Sequence, residues 1–440
     1  MSAERAGVPA DIAAAITHAV DRWSGGLVEL SHSLHREPEP AFAEHRSCAK
    51  IADLVAAAGF VVERGVGGLD TAFTATRGTG ELTIGFCAEY DALPGIGHSC
   101  GHNVNGAAAT GGALALAAVA DELGIRVKLI GTPAEEAGGG KAILLRAGVF
   151  DDVAAAMMVH AGGQDEVDGS SLAMAQWTAN YTGRPSHAAT APWEGANALD
   201  AISVAYHAVG LLRQQLEPGL VVSFIVTEGG QAPNVIPAHT QAAVEIRAGS
   251  VTRLRRAQAR VRACLEAGAL ATGTELEITP CGEEFADLRQ DEFMTGAYVR
   301  ALRALGRSPV SRAGEHIAST DMGNVSQVLP AIHPTIGYEV GDAAHHTAEF
   351  AEHGASPSAD SAVLAGAAAM ALAGAELARD PEQRARLLDG VRGRLSSAGS
   401  DPGVESDIGS APADDSPSGL HTSNCKETAR GGLAVNIIEC

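Results

Sequence analysis

Leu82–Ala88 is a strand-length run of almost unbroken apolar residues, and a second such run follows at Val127–Ile130. Between them lies a stretch with helical spacing, Gly106–Leu123, and another apolar run comes at Ala155–Val159. Strands that are apolar on both sides must be covered on both faces. The β-α-β order therefore predicts a largely parallel sheet layered with helices. Thr71–Thr76 adds a strand before it, and Ala10–Leu34 and Glu44–Ala58 read as helices, the second ended by Gly59. The chain can supply that cover, since 46% of its 440 residues are apolar and 19% are charged.

The pattern changes after Asp168–Ser170. Ser171–Thr182, Val221–Thr227, His239–Arg247 and Glu275–Thr279 read as strands, separated by helices at Ala196–Gln215 and Thr252–Ala271. That is the β-α-β-β-α-β plan of a ferredoxin-like unit. From about Asp291 the first style returns, with a helix to Leu305, a strand at Thr335–Val340 and an Ala-rich helix at Asp360–Leu377. The expected organisation is a discontinuous α/β domain over 1–171 and 288–395, an inserted α+β domain over 172–287, and a disordered tail over 396–440. Pro381–Leu395 reads as the final helix, and the tail begins with a stretch rich in Ser, Asp, Pro and Gly.

Charge and apolar runs exclude several classes. Lys and Arg total 31 against 53 Asp and Glu, a net charge of −22, which repels phosphate backbones and argues against nucleic acid as a partner. The longest apolar runs, Ala107–Ala120 and Ala362–Ala375, are shorter than the roughly 18 residues of a membrane span. Glu4, Asp11 and Asp21 interrupt the N-terminal stretch where a secretory signal would need a basic and then an apolar region. Seven scattered cysteines do not make a disulfide framework. The expectation is a cytoplasmic protein with no membrane partner.

Three segments place metal-type ligands beyond the ends of expected strands, where sites form in open α/β sheets. They are Gly97-His98-Ser99-Cys100-Gly101-His102-Asn103, Gly131-Thr132-Pro133-Ala134-Glu135-Glu136 and Met157-Met158-Val159-His160. Gly101 lets the backbone turn so that Cys100 and His102 can face one ion. Adjacent carboxylates on an extended backbone point apart, which suits one as metal ligand and the other as a base above a metal-bound water. A helical Glu-Glu pair on a solvated face is the alternative, disfavoured by Pro133 before it and Gly138-Gly139-Gly140 after it. Alone, a Cys-x-His is more often structural, and His160 could as well be a core histidine. Their co-occurrence in one fold position carries the reading. Gly138-Gly139-Gly140-Lys141 is not a phosphate loop, because no Gly stands five residues before Gly140 and no Ser or Thr follows Lys141. No G-x-G-x-x-G follows an early strand, which argues against a dinucleotide-binding oxidoreductase.

Glu89-Tyr90-Asp91-Ala92-Leu93-Pro94-Gly95, Ser99-Cys100-Gly101-His102-Asn103 and Pro133-Ala134-Glu135-Glu136 resemble the M20 metallopeptidases. The similarity runs from about Leu30 to Leu377. It points to the amidohydrolase branch of aminobenzoyl-glutamate, auxin-conjugate and β-alanyl-dipeptide hydrolases. The resemblance implies a zinc-peptidase-like catalytic domain with an inserted ferredoxin-like lid that dimerises. It also implies two divalent metal ions, Zn2+ first and Mn2+ or Co2+ as alternatives. Carried over, it makes Cys100, His102, Glu136 and His160 metal ligands. His346, in His346-Thr347-Ala348-Glu349-Phe350, is the fifth, rather than His345. Glu135 corresponds to the general base, and Asp91 to a carboxylate that orients a ligand. His187, in Gly183-Arg184-Pro185-Ser186-His187-Ala188, corresponds to the lid histidine that polarises the scissile carbonyl, often across the dimer. Asn234 and Arg247 correspond to the groups holding the substrate carboxylate. By themselves these two would be a turn residue and a solvated strand charge. Asn103 stands where many relatives have Asp, and Glu89 where other M20 enzymes have a ligating histidine.

The implied function is metal-dependent hydrolysis of N-acyl amino acids or small dipeptide-like amides carrying a carboxylate, by a homodimer. The alternatives are an aminopeptidase or carboxypeptidase acting on longer peptides, or a non-catalytic relative that binds ligands only.

Overall fold

The computed structural model describes residues 7–316 and 318–398. Its first sheet has six strands in the order Val61–Arg64, Phe73–Arg77, Ile125–Gly131, Leu82–Ala88, Ala155–Met157 and Ala331–Ile332. The four strands from Ile125–Gly131 to Ala331–Ile332 are parallel, and the first two are antiparallel additions at one edge. Every residue of Leu82–Ala88 is buried, as an apolar run inside a covered sheet requires. Helix His102–Ala117 is buried along its whole length and packs against Ala10–Arg36 and Pro357–Arg379. Small residues at Gly111 and Gly112 allow that approach, since a Cβ at either would fall 2.7–2.8 Å from Ala367, Leu27 or Phe86. Pro357–Arg379 is long and apolar enough by composition to cross a membrane, but its apolar face is spent on this core.

Ala155–Val159 does not form one strand. It ends at Met157, and His160–Gly162 opens a strand of a different, four-stranded sheet beside Thr335–Gly337. The expected strand at Thr335–Val340 is likewise shorter. Both changes turn the chain sharply at the same end of the main sheet, where Met158 N–H and His160 N–H donate to the carbonyls of Ile332 and Pro334.

The inserted α+β domain is an antiparallel sheet in the order Glu275–Pro280, Ala173–Thr182, His239–Ala248, Val221–Glu228. Helices Ala198–Arg213 and Val251–Thr272 cover it. By position in its own β-α-β-β-α-β succession the order is fourth, first, third, second, the ferredoxin-like arrangement. Its apolar core, built on Trp177, Tyr181, Ile202, Val244 and Leu265, is separate from that of the main sheet. The last helix, Pro381–Ala398, runs slightly past Leu395; the remainder of the expected tail lies outside the described residues.

Candidate metal centre

The three ligand-bearing segments converge at one end of the main sheet. Sγ of Cys100 and ring nitrogens of His102 and His160 lie within 4.8 Å of one another, and so do the ligand atoms of Cys100, Glu136 and His346. Cys100 belongs to both sets. Sγ of Cys100 is 3.5 Å from Nε2 of His160, and Nε2 of His346 is 3.6 Å from Glu136. The geometry thus offers two three-ligand positions sharing one sulfur.

Local backbone explains the convergence. Gly101 has φ +76°, and a Cβ there would fall 2.3 Å from the Cβ of Ala161, so no other residue fits at this turn. Helix His102–Ala117 begins immediately, several residues before Gly106. Nδ1 of His102 lies 3.0 Å from both Oδ1 and the backbone carbonyl of Asp91. These acceptors hold the proton on Nδ1, leaving Nε2 as the ligating nitrogen. Nε2 has no hydrogen-bond partner among the described residues.

The Glu135-Glu136 pair is on a turn rather than an extended backbone. Ala134 adopts φ +59°, the left-handed region that costs a residue with a Cβ. Its N–H donates to Oε1 of Glu44 at 2.8 Å. The N–H of Glu136 donates to Oδ2 of Asp91 at 2.9 Å. One carboxylate at each end fixes the turn, and the two glutamates diverge from it. His346 is also left-handed, at φ +65°. Its neighbour His345 instead places Nε2 3.0 Å from the carbonyl of Ala161 and stacks on Phe350 at 4.3 Å. His346 is therefore the one brought to Cys100 and Glu136.

The electrostatics fit cations. Burial, with Cys100 and Asp91 nearby, pushes the Glu136 carboxyl up to about 8. Burial and the charges of Glu89, Glu136 and Asp321 push Glu135 well above the usual range. Buried anions crowded like this lack positive charge, and a Cys, His and Glu donor set suits divalent ions of the zinc kind.

Cys100, Glu135, His160 and His346 line one end of a cavity of about 740 Å³ that extends to Ser170 and Gln290. His187, Asn234 and Arg247 do not line it. His187 and Asn234 are exposed on the inserted domain, in neighbouring segments where the N–H of Ala188 donates to the carbonyl of Asn234 at 3.0 Å. Arg247 is buried on the sheet, its Nε 2.8 Å from Glu245.

Glu44, Lys141 and Asp321 also belong to this region and are missed by motif reading. Glu44 looks like an ordinary acid at a helix start. Lys141 carried a signal: a cation in the first turn of a helix opposes the helix dipole, and local rules are broken most often at functional sites.

The chain matches the peptidase family M20/M25/M40 over residues 80–374. It is 35% identical over 391 residues to the Xaa-Arg dipeptidase of Mus musculus, covering 85% of this chain and 89% of that one. It is 32% identical over 283 residues to a p-aminobenzoyl-glutamate hydrolase polypeptide of Escherichia coli (strain K12), covering 60% and 59%. Among solved structures, a putative aminohydrolase from methicillin-resistant Staphylococcus aureus superposes with a TM-score of 0.69 at 20% identity, covering 82% of this chain and 98% of that one. A dinuclear metal-binding M20 peptidase from Bacillus subtilis superposes with a TM-score of 0.58 at 21% identity, covering 79% and 98%. With a match spanning more than half its length, and a relative aligned over most of both chains, this protein belongs to peptidase family M20/M25/M40.

Proposed function

We propose that this hydrolase cleaves the amide bond of a dipeptide or N-acyl amino acid using two divalent cations held by Cys100, His102, Glu136, His160 and His346. The observation that carries the reading is the pair of three-ligand positions sharing Cys100, with Glu135 beside them on the cavity wall. Such cations, when bound, lower the pKa of a water and polarise the amide carbonyl. Zinc is the first candidate from the sulfur and imidazole donors, with manganese or cobalt as alternatives.

Glu135 takes a proton from the attacking water and passes it to the leaving nitrogen. Asp91 orients His102. His187 donates to the developing oxyanion, and Arg247 and Asn234 hold the substrate carboxylate. Because these three do not line the cavity of their own chain, the complete site calls for a second copy. The surface favours a homodimer: Val221–Glu228 is an edge strand with exposed Ile225 and Val226, and the neighbouring helix exposes Tyr206 and Leu211. The five described cysteines are all free thiols, which supports a cytoplasmic setting.

Similarity to an Xaa-Arg dipeptidase puts dipeptides ending in arginine first among substrates. A net charge of −22 favours approach of such cationic molecules. The test is metal content together with turnover on N-acyl amino acids, Xaa-Arg dipeptides and longer peptides. Two cations per chain and hydrolysis of the small amides are expected. Cleavage confined to longer peptides overturns the substrate reading, and metal binding without turnover on any of them leaves a ligand-binding relative.

A further inference from the structure

Behind the candidate centre lies an ion cluster that does not reach the cavity. Lys141, Glu89 and Asp321 are completely buried, and none of them lines the cavity. Nζ of Lys141 donates to Oδ1 of Asp321 at 2.6 Å and to Oε1 of Glu89, while its backbone N–H donates to Oδ2 of Asp321 at 2.9 Å. Oε2 of Glu89 accepts from Asn105 at 3.1 Å and stands 3.6 Å from Nε2 of His102. Asn105 in turn accepts the N–H of Ala161 at 2.8 Å, the residue directly after His160. The cluster therefore touches the supports of two candidate ligands at once.

Carboxylate oxygens of Glu89, Glu135 and Asp321 lie within 4.8 Å of one another. Three acids this close and out of water repel unless a cation stands among them. Burying an ammonium carries a heavy desolvation penalty, repaid only by close ion partners and hydrogen bonds. A position chosen for folding alone is better served by an apolar side chain.

We propose that Lys141 is a positioning residue of the hydrolytic centre. Its ammonium takes the place that a further divalent cation would occupy among Glu89, Glu135 and Asp321, and it holds Glu89 away from the catalytic ions. The centre is thereby limited to two cations, and Glu135 is left free as the base. This rests on the two-cation reading above. The charge balance agrees: burial alone would raise the Glu89 carboxyl, but Lys141 and the nearby histidines pull it down to about 2. Burial would lower the Lys141 amine, yet Asp321 and Glu89 raise it well above its usual value.

The experiment compares metal content at saturating Mn2+, and steady-state kinetics, for the full chain, Lys141→Met and Lys141→Met/Asp321→Asn. The unaltered chain should hold two ions. Lys141→Met should hold three and lose kcat about tenfold or more with KM unchanged, since none of the trio meets substrate. Adding Asp321→Asn removes one carboxylate and should return the content to two. A content still at two in folded Lys141→Met, or a KM that rises as kcat falls, overturns the proposal. If Lys141→Met does not fold, the charge-balanced double variant decides: two ions with lowered kcat and unchanged KM supports the role, and full kcat overturns it. An unaltered chain that holds no ion and hydrolyses no amide overturns the two-cation reading instead.

Discussion

Asp91 and His102 meet twice, because Nδ1 of the imidazole lies 3.0 Å from both Oδ1 and the main-chain carbonyl of Asp91. Oδ2 of the same carboxylate accepts the N–H of Glu136, so one side chain sets two candidate ligands on separate segments. Asp91→Ala should weaken metal binding about ten- to a hundredfold. The backbone carbonyl remains in place, so the histidine keeps part of its orientation. Titration with a chelator of known affinity measures the loss; unchanged affinity would remove Asp91 from the centre.

The two adjacent glutamates should separate in function. Glu135→Gln should keep its ions and lose most turnover, because an amide cannot accept the proton from water. Glu136→Gln should lose ions, as its Oε2 is the oxygen facing His346. Metal analysis of both variants beside their rates checks this, and identical behaviour would sink the division.

His345 and His346 offer a sharper comparison. His346→Ala should reduce metal content, whereas His345→Ala should retain it and lose stability through its contacts with Ala161 and Phe350. The reverse pattern, read by metal analysis and thermal melting, would exchange the two assignments.

His187 is tested by mixing. His187→Ala should lower kcat about 100- to 1000-fold with little change in metal content. Combined with inactive Glu135→Gln protein under conditions where protomers exchange, it should regain activity if hybrid dimers place an intact His187 over an intact Glu135. No recovery after verified exchange would assign His187 to its own chain or to no role.

Glu39 provides a pH-dependent contact away from the chemistry. Its carboxylate accepts the N–H groups of Arg46 and Ser47 in the first turn of helix His45–Ala57. Burial alone would raise its pKa, but Ser47 and Arg46 outweigh that and hold it below the usual 4.5. A depressed carboxyl stabilises the fold fully above its unfolded value and loses that contribution as pH falls through the folded one. Glu39→Gln should therefore cost about 2 kcal/mol at pH 7, and the gap should close in the acid range below about pH 4. Denaturant melts at pH 7 and pH 3.5 measure it; an equal gap at both would show that charge is not involved.

The sequence made the frame and the ligand set legible for different reasons. Leu82–Ala88 and His239–Ala248 show their environment directly, one apolar on both faces and the other alternating with the pleat. Cys100, His102, Glu136 and His160 show through residue type and the turn-forming Gly101 and Pro133. The left-handed Ala134 does not show, because alanine carries no sign of the strain imposed by Glu44, distant in sequence. Lys141 was invisible as a buried ammonium because its partners, Glu89 and Asp321, come from far-separated segments and no local spacing links them. The break after Met157 was hidden for a similar reason: Met157-Met158-Val159 reads as one strand, and only hydrogen bonds from the distant Ile332–Pro334 turn divide it.

The ligands also record an order of manufacture. The main sheet is completed by Ala331–Ile332 pairing with Ala155–Met157 across the whole inserted domain, and His346 follows only after that. On the ribosome, the position of Cys100, His102 and His160 can therefore be built before the position that needs His346. A chain released early would carry half a centre, able to capture one ion and unable to accept the second, so metal loading doubles as a record that translation reached the last helices.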